Sequence, residues 1–289
     1  MMHRMHRSHR STPSFRLVLV AAPLVVVGAL AVAACTQTKV INEVDPSLGP
    51  DSGAVAADAG TGDAGERPTT RVEGKSSDLF GSTAASYAYV DDETGVVVKV
   101  GYSVPVKAFS DAPTGAPFQD DLVLEMPRVA RDQTMLNHVR VNWLTSGHGP
   151  SPYSAPHFDM HFQRGTVVEV DAIDCAADKR LPPTTALPTG YGAPELCVNA
   201  MGMHSWPQAD KGSTWAGSII MGYWATKVSF IEPMIPKATL LQKKTFELPI
   251  QKPASTGGAH TLYPRRLTAK YDETAASYAF EFDQFEEID

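Results

Sequence analysis

The sequence predicts an all-β domain, a single barrel or sandwich with little helix. Three observations lead there: short β-branched or alternating segments recur along the chain, turn residues separate them, and helix-period runs are scarce. Tyr87–Val90 and Val96–Val106 flank the turn sequence Asp91-Asp92-Glu93-Thr94-Gly95 and read as a hairpin. Val139, Val141 and Trp143 then alternate with Arg140 and Asn142, as one half-buried strand would. Val167–Ile173, Ser218–Trp224, Val228–Ile231 and Thr245–Ile250 read as further strands, and Leu267–Tyr271 with Tyr278–Phe282 as a closing pair. Only Pro236 to Lys243 carries a proline followed by helix formers, enough for two turns.

The organisation ahead of that domain is read from the N-terminal end. Arg4, Arg7, Arg10 and Arg16 precede an apolar run from Leu17 to Ala34, the layout of a secretory signal. The run closes on Val32-Ala33-Ala34-Cys35, which resembles a bacterial lipobox. Residues 1–34 are therefore expected to be removed and Cys35 to be lipidated; an uncleaved membrane anchor is the alternative. His3, His6 and His9 fall in the removed peptide. Residues 35–76, rich in Ala, Gly, Asp, Ser and Pro, read as a flexible tether, because so few large apolar side chains cannot offset the entropy of ordering. Residues 77–289 suit one domain.

Cleavage would leave 21 basic against 32 acidic residues, a net charge of −11. That balance argues against a nucleic-acid partner and against electrostatic attraction to an anionic lipid face. The expected membrane contact is the lipid on Cys35, placing the domain in the cell envelope. Thr36, where an aspartate would favour inner-membrane retention, turns the expectation toward the outer membrane. Cys175 and Cys197 remain as a pair, expected to form a disulfide in an exported chain, with two separate buried thiols as the alternative.

Six of the nine histidines lie beyond the signal, and four of them, His148, His157, His161 and His204, fall within 57 residues. In Pro156-His157-Phe158-Asp159-Met160-His161-Phe162 the alternation puts the apolar side chains on one face and His157, Asp159 and His161 on the other. Strand spacing limits what that face can do alone. Residues two apart stand about 6.6 Å from each other and residues four apart about 13 Å, so His157 and His161 do not reach one ion from a regular strand. Asp159 with one histidine could, or a bulge could bring both inward. A helix would place the two histidines together, but it lacks the adjacent glutamate of zinc peptidases. His148 sits in the turn Ser146-Gly147-His148-Gly149-Pro150, His204 in Met201-Gly202-Met203-His204, and Glu232 in Phe230-Ile231-Glu232-Pro233-Met234. Imidazole with carboxylate suits zinc first, then copper or iron. A metal-free ligand or acid–base pocket and a purely structural polar network remain alternatives. His138 and His260 read as ordinary surface or cap residues, and Trp143, Trp206, Trp215 and Trp224 as core. The sequence contains no Gly-x-Ser-x-Gly elbow, phosphate-binding glycine loop or nucleotide fingerprint.

Together these stretches resemble a family of exported bacterial proteins that carry a domain of unknown function. The resemblance runs through Phe80-Gly81, Asn137–Trp143, Gly147–Pro150, Tyr153–Phe162, Met201–His204 and Phe230–Met234, and covers most of residues 79 to 241. Two positions depart from the family pattern: Ser205 displaces the tryptophan that usually follows the fourth histidine, and Gln163 replaces an aromatic. The resemblance implies a β-rich exported domain whose histidines act as one site. It implies no reaction. The expected function is binding of a metal ion or small ligand through His157, Asp159, His161 and His204, with His148 and Glu232 as second choices. A hydrolase or lyase using the same residues and an oligomeric envelope structural protein are the alternatives.

Overall fold

Each face of an alternating strand needs something to pack against, and two antiparallel sheets supply it here. The computed structural model describes residues 67–115, 118–210 and 215–289, so the signal, Cys35 and most of the tether lie outside the described residues. Among the described residues fifteen strands follow in order. They are β1 (Thr69–Leu79), β2 (Ser82–Asp91), β3 (Val97–Pro105), β4 (Leu122–Glu125), β5 (His138–Leu144), β6 (His157–Gln163), β7 (Leu196–Val198) and β8 (Gly202–Ser205). The rest are β9 (Ser218–Trp224), β10 (Lys227–Pro236), β11 (Phe246–Pro249), β12 (Thr261–Tyr263), β13 (Arg266–Asp272), β14 (Ser277–Asp283) and β15 (Glu286–Ile288). One sheet has the order β1-β2-β3-β14-β13-β11, the other β4-β5-β6-β10-β9-β8-β7, and β12 pairs with β15. Every ladder is antiparallel. The fold is all-β and sandwich-like, as the sequence predicts.

The core lies between the inner faces of the two large sheets. Val100, Tyr102, Val104, Phe280 and Phe282 from the six-stranded sheet meet Val139, Val141, Phe158, Met160 and Phe162 from the seven-stranded one. Phe162 packs edge-on against Phe282 at 4.5 Å, Trp143 stacks on Phe158 at 4.6 Å, and the Tyr102 hydroxyl donates to the Met160 sulfur at 3.2 Å. Interdigitated aromatics of this kind bury large apolar areas and fix how the sheets lie on one another.

Helix is short and begins at prolines. α1 (Val106–Asp111), α2 (Arg128–Gln133) and α4 (Lys237–Leu240) directly follow Pro105, Pro127 and Pro236, while α3 is Val167–Asp171. The proline φ is preset for helix entry. Of these three prolines only Pro236 stands before a run of helix formers that the sequence makes legible. Val167–Ile173, expected as a strand, begins with α3 instead. There a capping box wins over the β-branched valines: the Thr166 hydroxyl accepts from the Glu169 backbone N–H, and the Glu169 carboxylate accepts from the Thr166 backbone N–H at 2.8 Å.

A second correction concerns the tether, which the sequence reading carried to Ser76. β1 starts at Thr69 and pairs with β2 through to Leu79. It is an edge strand whose only buried side chain is Leu79, so backbone ladder bonds hold it and hydrophobic patterning does not reveal it.

Cys175 and Cys197 form a disulfide across 22 positions. Cys197 lies on β7 opposite Met203 of β8, so the bond fastens this sheet edge to the segment after α3. Replacing both cysteines by serine should lower unfolding stability by about 3 kcal/mol in the chain-entropy account, measurable as a lower urea midpoint with a steeper slope, because the uncrosslinked unfolded chain exposes more surface.

Candidate metal centre

The outer face of the seven-stranded sheet is the chemically unusual part of the molecule. His157, Asp159 and His161 point away from the core on β6. In the neighbouring strand β5, Asn142 pairs with Asp159 and Arg140 with His161, so a second polar row runs alongside. On the other side Met234 of β10 stands opposite Asp159, Ile220 of β9 pairs with Glu232, and His204 of β8 pairs with Gly222 of β9. Chain segments outside the sheet cover this face. Tyr153, Ile220 and Met234 form a small apolar cluster there with Trp206 and Trp215, and the Tyr153 and Ser218 hydroxyls both donate to Asp210. The polar row is consequently buried: His157, Asp159, His161, His204 and Glu232 are all under a tenth exposed.

The six residues singled out in the sequence come together as two groups. In the first, His157 Nε2 lies 3.0 Å from Asp159 Oδ1 and His148 Nε2 lies 3.5 Å from Asp159 Oδ2. In the second, His161 Nε2 lies 3.5 Å from Glu232 Oε1 and His204 Nε2 lies 3.8 Å from Glu232 Oε2. Within each group the potential ligand atoms all lie within 4.8 Å of one another. A tetrahedral ion with ligand bonds of about 2.0–2.1 Å has ligand–ligand edges of about 3.3 Å, close to these separations. His157 and His161 fall in different groups, as strand spacing requires.

Proton placement sharpens the point. The His157 Nδ1 approaches the Ala155 carbonyl and the His148 Nδ1 the Gly149 carbonyl, each at 2.7 Å. A carbonyl only accepts, so both Nδ1 atoms carry hydrogen and both Nε2 atoms are turned toward the Asp159 carboxylate. Two lone pairs facing a carboxylate repel unless positive charge intervenes, as a proton or as a metal ion. Backbone carbonyls holding the far nitrogen are also the usual way a ligating histidine is oriented. In the second group neither nitrogen of His161, nor His204 Nδ1, nor Glu232 Oε2 has a hydrogen-bond partner, although all are buried. Unsatisfied buried polar atoms are costly, and four in one place call for a binding partner.

Burial opposes charge throughout the site. It pushes the His161 ring down to about 3, with His204 adding to the shift, and His204 down to about 4. Burial beside Asp159 raises the Glu232 carboxyl well above the usual carboxylate range. Burial also opposes ionisation of Asp159, but His148 and His157 outweigh it and hold this carboxyl low. His148 is raised because Asp159 overcomes the effect of burial. Metal binds neutral imidazole and ionised carboxylate, forms that these shifts favour at His161, His204 and Asp159 and oppose at His148 and Glu232.

Five of the six residues, His148, Asp159, His161, His204 and Glu232, line one cavity of about 290 Å³, and His157 is sealed behind them. The aromatic ring of Phe230 is set edge-on against both His161 and His204, at 5.1 and 4.9 Å. Gly222 makes room for it: a Cβ there would fall 2.0 Å from a Phe230 ring carbon.

Two expectations from the sequence need correction here. His138 is no surface residue; it is fully buried and accepts a hydrogen bond from Arg140 Nε at 3.1 Å. Arg140, itself 3% exposed, is further held by Asp120 and Asp171. The signal was available, since β5 alternates in step with β6 and antiparallel neighbours share faces. Trp206 lines the cavity, and Trp215 stands edge-on to His157 at 4.9 Å, so neither belongs to the main core. Gln163, fully buried two positions beyond His161, has neither amide atom satisfied and extends the polar row.

Residues 92–143 match the family model described as TTHB210-like, Hypothetical protein TTHB210. The match spans β3 to β5 and contains none of the six candidate ligands, and its description agrees with the expected resemblance to an uncharacterised domain. No curated protein and no solved structure matches the chain.

Two outcomes follow. Burial, then Arg140, holds the His138 ring at about 4 against an ordinary 6.5, so the unfolded chain takes up a proton first as the pH falls. Stability contributed by neutral His138 is complete above pH 6.5 and is lost on acidification toward pH 4. Urea midpoints measured across that window should fall less steeply for His138→Gln than for the wild type. Gly222→Ala should force the Phe230 ring against both histidines and lower stability by about 1–3 kcal/mol in the same unfolding measurement.

Proposed function

We propose that this chain is an exported, lipid-anchored envelope protein that binds divalent transition metal, zinc before copper or iron, at two adjacent three-residue sites. The observation that carries the metal reading is the set of unpartnered histidine nitrogens and carboxylate oxygens, converging in two triads at coordination-like separations under a covered sheet face. Anchoring rests on residues 1–35 of the sequence, where the basic start, apolar run and lipobox-like Cys35 stand together.

A catalytic role is the second reading, favoured by one feature: three protein ligands in a group leave a coordination position free, and five of the six residues face the same cavity. Bound metal would supply polarisation of a substrate oxygen and an acidified water. The chain's own contribution would be to orient His148 and His157 through backbone carbonyls, and to exclude bulk water beneath the cover formed by Tyr153, Trp206 and Trp215. Hydrolysis or lyase chemistry would suit such a site.

Chelator-treated full-length protein, reloaded with zinc and measured by elemental analysis, should hold up to two ions per chain. His157→Ala and His161→Ala should each remove one, and the double variant both, with circular dichroism confirming retained β structure. A wild-type protein that takes up no metal after reloading with zinc, copper or iron would overturn the metal reading.

A further inference from the structure

The cavity above the two triads has a sharp division of chemistry. Its titratable lining is His148, Asp159, His161, His204 and Glu232, the metal end, and the rest of its wall is largely apolar, among it Leu144, Leu196, Val198, Ile220, Trp206 and Met234. Among the described residues no lysine or arginine lines it. Arg140, whose charge reaches His161, is engaged by His138, Asp120 and Asp171 and is not part of the lining. At about 290 Å³ the space is at the small end of what organic ligands occupy.

Each absence narrows the ligand. Among the described lining residues a phosphate- or sulfate-bearing molecule would find no cationic side chain away from the metal end. A sugar-like polyol would lose the hydrogen bonds of its hydroxyls to water and regain few against leucine, valine and isoleucine walls. An apolar body gains from the same walls, about 25 cal/mol for each Å² removed from water. β7 contributes Leu196 and Val198 to the wall, and the disulfide at the residue between them fixes that wall in place.

We propose that the cavity takes a compact, uncharged organic ligand with an apolar body and a single oxygen- or sulfur-bearing head that binds the metal end. This rests on the metal reading above and adds the substrate class. The head completes the open coordination position, and the body fills the space between the β7 edge and the Trp206 cover.

The test uses zinc-loaded full-length protein and two probes with the same head, acetohydroxamate and benzohydroxamate, titrated by calorimetry, with zinc content measured on the same sample. Benzohydroxamate is expected to bind at least tenfold more tightly. Leu196→Asn, at a position 44% exposed on a sheet edge and so tolerant of a polar group, should lose most of that gain while leaving acetohydroxamate affinity and zinc content unchanged. Equal affinities for the two probes on zinc-loaded protein would overturn the apolar body and leave the metal reading standing. Benzohydroxamate binding as tightly to metal-free protein would overturn the metal-seeking head. Absence of zinc from the loaded sample, and of copper and iron after reloading with each, would overturn the metal reading, and this proposal with it.

Discussion

Strand β6 is buried on both faces, and much of the architecture answers that constraint. Its inner face carries Phe158, Met160 and Phe162 into the sandwich core, which any alternating strand could do. Its outer face carries His157, Asp159 and His161, and these are covered too. Polar groups with partners in water must find partners in the protein or in a ligand once covered. Arg140, Asn142 and Glu232 arrive from neighbouring strands on that face, His204 from β8 three strands away, and His148 from the turn after β5. The long segments between β6 and β9, which would be excess in a minimal sandwich, form much of the lid over them.

Within that frame the apolar side chains are part of the chemistry. Phe230 holds two imidazoles by their edges, and Trp215 does the same for His157. Such contacts restrict ring orientation without supplying a hydrogen bond, so His161 and His204 are aimed by packing. His148 and His157 are aimed instead by backbone carbonyls. The two groups thus use different means of orientation. The first is bound to local chain geometry around residues 148–157, and the second to the fit of β8, β9 and β10.

Period-two patterning made β6, β5, β9 and β14 legible in the sequence, because each exposes one face to the core. It also separated His157 from His161 as ligands before any coordinates, since distance along a strand is fixed by its rise. What the pattern could not supply was pairing. Glu232 joins His161 and His204 only through the β6–β10 and β9–β10 registers, and register is a property of two distant segments. β1 was missed because an edge strand needs no hydrophobic face, and α3 because a four-residue capping signal outweighed its valines. The burial of His138 is not legible in its own segment, because it follows from the pairing of β5 with β6, which sets His138 opposite Gln163.

The six candidate ligands are drawn from a turn, two strands of the sheet centre and one near its edge, separated by up to 84 positions in the chain. No fragment shorter than that span contains both groups. An ion held by them would therefore bind the completed fold and hardly bind the unfolded chain, adding to stability by mass action as its concentration rises above the dissociation constant.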